Sequence, residues 1–153
     1  MTAMLTDQFK KLAKDLTTDF PRSPRETLGG YVLAARMIDK CRAVINGTNG
    51  EYHYNCPLDQ RILSFTGIHA DALKNFAATG ASDEEIGEWI NTHSKVQSRE
   101  EIIQWNNQQR DLRLSDLPLP VQVYMEDYIK QYVPAGKIVY HWFDVYDYEE
   151  GRL

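Results

Sequence analysis

Between Leu28 and Ile45 apolar residues fall on nearly every side of a helical projection. Leu28, Tyr31, Val32, Leu33, Ala34, Ala35, Met37, Ile38, Cys41, Val44 and Ile45 leave almost no solvated face. A helix apolar all round belongs in a core, so the pattern predicts a buried central helix. Its start is read at Pro24. Ser23 stands as N-cap, Pro24 takes the first helical position, and Glu26, three after Ser23, completes a capping box. Asn46-Gly47 is its stop. The charges inside this segment matter because of the burial. Arg36 and Lys40, four apart, share a strip with Gly29, Asp39 borders that strip, and Arg42 points elsewhere. A buried charge is costly unless paired. Asp59, Glu51 and Asp39 are the nearest acids available to Arg36.

The remaining pattern is also helical. Residues 5–17 carry Leu5, Phe9, Leu12 and Leu16 on one stripe. Asn49-Gly50 is a turn, and Cys56-Pro57-Leu58-Asp59 opens a further helix, with Pro57 first and Asp59 complementing the dipole. It runs through Phe65 to Gly67. HADALKNFAATG follows as another helix, and Ser82–Glu85 and Ser98–Glu101 each form a capping box before apolar residues at helical spacing. Pro118 and Pro120 lead into a helix stopped by Pro134, with Tyr124, Tyr128 and Tyr132 as a stripe whose hydroxyls reach water at a core edge. In 137–149 both periods fit. Ile138, Tyr140 and Trp142 alternate like a strand, whereas Trp142, Val145, Tyr146 and Glu149 fit a short helix. The helix is favoured, because a lone strand has no partner, and an acidic tail is expected over 144–153. The expectation is an all-α fold, one domain over 1–153, with six or seven helices packed round helix 24–46.

Composition narrows the class. The apolar share of 42% and charged share of 25% are those of an ordinary soluble globule. The longest apolar run, Tyr31 to Ala35, is far too short to cross a bilayer, and the N-terminus has no apolar signal region. Two cysteines without a secretion signal suit a reduced, cytoplasmic location. The net charge of −5 argues against nonspecific nucleic-acid binding. It is unevenly spread: residues 1–46 carry eight Lys/Arg against five Asp/Glu. The basic first third suits an anion site, with Arg22 and Arg25 at the expected helix start, or docking onto the acidic part of a second copy.

Candidate chemistry is sparse. Cys56 falls near a helix N-cap, where a thiolate is favoured, and His53 lies three residues before it, with Asp59 or Arg61 to orient. This is the best nucleophile–base candidate in the chain, and a buried structural Cys56 is the competing reading. The scattered histidines give no metal-ligand spacing, and no cofactor motif is present. Three functions therefore stay open. One is a domain binding a small anion or a protein partner in a polar pocket lined by Arg36, Lys40, Tyr52, His53, Asp59 and Arg61. The second is a small enzyme or redox-sensitive protein using Cys56 with His53. The third is a structural module forming a homodimer.

Four stretches carry a resemblance: DLTTDFPRSPRETLGGYVLAARMIDKCRA, GTNGEYHYNCPLDQR, ASDEEIGEWI and WFDVYDYEEGR. Together they resemble a bacterial family catalogued only as a domain of unknown function, DUF5069, from about Leu16 to Arg152. His69 stands where an acidic cap would be expected. The resemblance implies a small bacterial, cytoplasmic, stand-alone domain and assigns no catalytic residue.

Overall fold

Two adjacent glycines decide how the apolar stretch folds. Gly29 and Gly30 take φ of 63° and 89°, the left-handed pairing that a tight two-residue hairpin turn needs. Thr27–Leu28 (β1) therefore folds back on Tyr31–Val32 (β2), with Thr27 opposite Val32 and Leu28 opposite Tyr31. In the computed structural model, which describes residues 5–153, the central helix α2 spans Ala34–Asn46. The expected start at Pro24 is thus corrected by ten residues. Ser23 does not cap a helix: its Oγ accepts from the Arg25 amide at 3.1 Å and its carbonyl from Glu26 at 3.0 Å, which makes a turn. Leu33 breaks the chain between hairpin and helix. It holds φ 72°, unusual for a bulky residue, with its amide bonded to the Pro24 carbonyl at 2.9 Å and its side chain buried. Burial on both sides suits a core hairpin as well as a core helix, so the apolar run alone did not distinguish them.

The chain packs as two units, Met1–Ile102 and Ile103–Leu153. In the first, α1 (Asp7–Leu12) starts at Thr6, whose side chain accepts from the Phe9 amide. α2 ends at Gly47, in the left-handed conformation that closes a helix. α3 (Pro57–Thr66) has Pro57 in its first turn and ends at Gly67, and α4 (Ala70–Ala77) follows. α5 (Asp83–His93) opens on the expected box, with Ser82 and Glu85 satisfying each other's amides. α6 (Arg99–Asp111) begins at Ser98, whose Oγ accepts from Glu101. α2 packs against α1, α3, α4 and the hairpin, and α5 against α4 and β1. Tyr31, Met37, Ile38, Ile62, Leu73, Ile86 and Ile90 form the dry centre.

The second unit holds the rest of α6, a 3-10 turn at Leu114–Asp116, α7 (Leu119–Tyr132) and α8 (Trp142–Glu149). The extended residues before α8 find a partner after all. The Tyr140 carbonyl accepts from Leu114 at 2.8 Å and the Trp142 amide reaches the Leu112 carbonyl at 3.0 Å, giving one bridge between Arg113 and His141. The expected acidic tail over 144–153 is instead helical to Glu149. Asp147 and Glu150 are buried, and Arg152 donates to them at 3.0 and 2.7 Å. That arginine neutralises carboxylates that would otherwise stay in water. On α7 the Tyr128 ring meets those of Tyr124 and Tyr132, and its hydroxyl donates to Glu149. The described residues make eight α-helices and one small hairpin, a mostly helical fold. Among the described residues no helix is long and apolar enough to cross a membrane.

Candidate functional site

The buried charges of α2 separate into two networks. Lys40, one turn beyond Arg36, points at the amino end of α3. Its Nζ lies 2.9 Å from Asp59 Oδ1 and 3.2 Å from Cys56 Sγ. Lys40 and Asp59 are both essentially closed to solvent. Asp59 sits in the first turn of α3, where a carboxylate is favoured by the helix dipole. Its second oxygen accepts the Asn55 backbone N–H at 2.9 Å. Asn55 has φ 63°. Asparagine tolerates that conformation better than other side-chain-bearing residues, yet it is still held there by its surroundings. A relay thus runs from Lys40 through Asp59 to a strained loop residue.

The second network was not foreseen as one. Arg22, expected beside a helix start, lies outside any helix and forks onto Asp39 instead. Its Nε and Nη2 lie 3.0 Å from the two Asp39 oxygens, and its backbone N–H donates to the same carboxylate at 2.9 Å. Its Nη1 donates to Asp83 at 2.9 Å, and Arg42 Nη1 to Asp83 at 2.8 Å. Arg42 also donates to the Ala81 carbonyl, and its Nε is buried with no hydrogen-bond partner among the described residues. Burial pushes Asp83 up, but the hydrogen bonds and charges of Arg22 and Arg42 outweigh it and hold the carboxyl below its ordinary range. The signal for this network was Asp39: an acid on an all-apolar helix requires a cation, and Arg22 is within reach of the preceding loop.

Arg36 is buried, donates to the Arg22 carbonyl at 3.2 Å, and carries its guanidinium over the Tyr52 ring at 5.7 Å. Arg61 is half-buried, and that burial lowers its guanidinium's affinity for the proton. His53 is exposed, and among the described residues nothing bonds it to Cys56. The proposed thiol–imidazole pair is therefore not assembled; Lys40 stands beside the sulfur instead. The other thiol, Cys41, is fully buried and pushed up to about 12, mainly by burial. The described residues contain no group of three or more His, Cys, Asp or Glu placed to hold a metal.

None of the six side chains expected to line a pocket is among those that line a nearby cleft. This cleft, about 430 Å3, is bounded by Asn55, Gln60, Leu63, Ser64, His69 and Asp71, between α3 and the start of α4. Tyr54, in the loop before α3, donates its hydroxyl to the Ala70 carbonyl at the start of α4 at 2.7 Å. Burial raises the Tyr54 phenol above its ordinary value. The Asn55 and Gln60 side chains are hydrogen-bonded to each other at the cleft edge. His69 takes the N-cap position of α4 without a side-chain capping bond, so the first turn there is left to Asp71 and solvent. The lining mixes these polar groups with Leu63, Ile68 and Ala70 and, among the described residues, carries no Lys or Arg. These residues were missed because Gln60 and Ser64 read as an ordinary solvated face of α3.

A family model described as "Domain of unknown function (DUF5069)" matches residues 18–152, nearly the whole chain. No curated protein matches.

Proposed function

Because the chain belongs to the DUF5069 family, which is uncharacterised, we propose from geometry that it is a binding domain for a small polar molecule, with its site in the cleft between α3 and α4. The observation that carries this reading is Asn55. A residue in a left-handed conformation, fixed by a buried carboxylate that is itself fixed by a buried lysine, presents its side chain to the cleft. Backbone strain held by a dedicated charge pair is a common mark of a binding residue. The volume suits a small ligand. Asn55, Gln60, Ser64 and His69 offer both donors and acceptors, whereas Asp71 and the absence of Lys and Arg disfavour an anion. The preferred ligand is neutral or cationic and rich in hydroxyl, amide or amine groups. The anion first expected for the 51–61 loop has no such support on this face.

A thermal-shift screen of neutral, cationic and anionic polar metabolites tests the proposal. Ligands that bind only the folded state raise the melting temperature by mass action. The expected result is a set of neutral or cationic compounds that raise it in the parent and not in Ser64→Tyr, whose ring fills the cleft from an exposed helix position. No stabilising compound, or shifts that survive Ser64→Tyr, would overturn it.

A further inference from the structure

We propose that Cys56 is a site of reversible oxidation by hydroperoxides, with Lys40 as its positioning residue. The pair was not predicted from sequence, where His53 was the expected partner. Cys56 ends the loop as the N-cap of α3 and is half-buried, so part of the residue meets solvent. Lys40 is closed to solvent, its ammonium is 3.2 Å from that sulfur, and Asp59 fixes it there at 2.9 Å. A lysine ammonium held against the sulfur at the amino end of α3 sets a cation where a sulfur-bound anionic oxygen would develop.

The reaction balances with one molecule of hydroperoxide. The Cys56 sulfur attacks one peroxide oxygen, an S–O bond forms as the O–O bond breaks, and sulfur loses two electrons to the peroxide. The thiol proton leaves with the departing oxygen as water or alcohol, and Cys56 becomes a sulfenic acid. Lys40 Nζ, already donating to sulfur, lies beside the new oxygen and stabilises its anionic form. The chain has one other cysteine, Cys41, which is buried and held as a thiol. The sulfenic acid therefore awaits external small thiol: one molecule forms a mixed disulfide with loss of water, and a second releases Cys56 reduced and leaves as the small-molecule disulfide.

The test is a time course of hydrogen peroxide treatment of the full chain, read by intact mass and by a carbon nucleophile that traps sulfenic acid. The native protein is compared with the same protein in urea. The expected result in the native protein is a single added oxygen, trapped at Cys56 and not at Cys41, with Cys56 oxidised about tenfold faster in the native than in the unfolded chain, the effect of one charge-assisted hydrogen bond to the reacting sulfur. Lys40→Met should lose that advantage and Lys40→Arg should keep part of it. The native-against-urea comparison needs no variant, so it still decides if Lys40→Met fails to fold. A native rate equal to or below the unfolded rate would overturn the proposal, as would trapping at Cys41 or a Lys40→Met variant that folds and oxidises at the parent rate.

Discussion

At the scale of single residues, Lys40 does more than neutralise Asp59. The two form a buried pair whose loss is asymmetric: removing one partner leaves the other as an uncompensated charge in the core. Lys40→Met is expected to cost about 3–5 kcal/mol in urea denaturation, because Asp59 is then buried without its cation. Lys40→Met with Asp59→Leu should recover most of this loss. What stays missing is the bond from the Asn55 amide, about 1 kcal/mol. Equal destabilisation by the single and double variants would mean that the pair is not the reason for the cost. The need for such a pair was legible in the sequence, since charges on an all-apolar helix require partners, and Asp59 was among the acids in reach. Which cation it would meet was not legible. Arg36 and Lys40 lie on one strip a turn apart, and a turn of helix is all that separates the start of α3 from the Arg22 carbonyl and the Tyr52 ring.

At the scale of elements, several helix starts and stops were legible from local chemistry, though the Ser23–Glu26 box was not one of them. The Ser82–Glu85 box, Pro57 at the head of α3, and the glycines that end α2 and α3 stand where local chemistry places them. The hairpin was missed because its signal is two glycines inside an apolar run, and burial hides the period that separates strand from helix. The same glycine pair sets a packing limit. Gly87 on α5 lies against the hairpin so closely that a Cβ there would meet the Gly29 backbone at 3.1–3.2 Å. Gly→Ala inside a helix ordinarily stabilises by up to about 1 kcal/mol. Gly87→Ala is expected to reverse that sign and lower the melting temperature, since backbone on the facing side has little room to give. A stabilised Gly87→Ala protein would show that α5 and the hairpin can separate at no cost. The cleft belongs to this scale too. It arises where the α3 surface faces the start of α4, and no property of Gln60, Ser64 or His69 taken singly marks it.

At the scale of the whole molecule, the acidic sequence is organised by arginines. Arg22 and Arg42 hold Asp39 and Asp83 in the first unit, and Arg152 holds Asp147 and Glu150 in the second. This makes acid a specific stress. Asp83 titrates below its ordinary value near 3.8 in the folded protein, so its contribution is complete above that value and is lost as pH falls through the lower folded one. The stability gap between the parent and Asp83→Asn is therefore expected to be constant from neutral pH down to the ordinary carboxylate range and to shrink below it. Urea midpoints measured across that range check this, and a gap that does not change with pH would contradict it. The mostly helical class was legible from composition and periodicity. The buried C-terminal carboxylates were not, because an acidic run reads as solvated until Arg152 is seen to fold back on it.

The most direct test of the binding proposal is a backbone-amide NMR titration with the strongest stabilising compound from the thermal screen. The predicted result is shifts concentrated at Asn55, Gln60, Ser64, His69 and Asp71, with the Asn55 amide, held by Asp59, among the largest. Shifts that fall elsewhere, with the Asn55 and Ser64 amides unmoved at saturation, would contradict a binding site in the α3–α4 cleft.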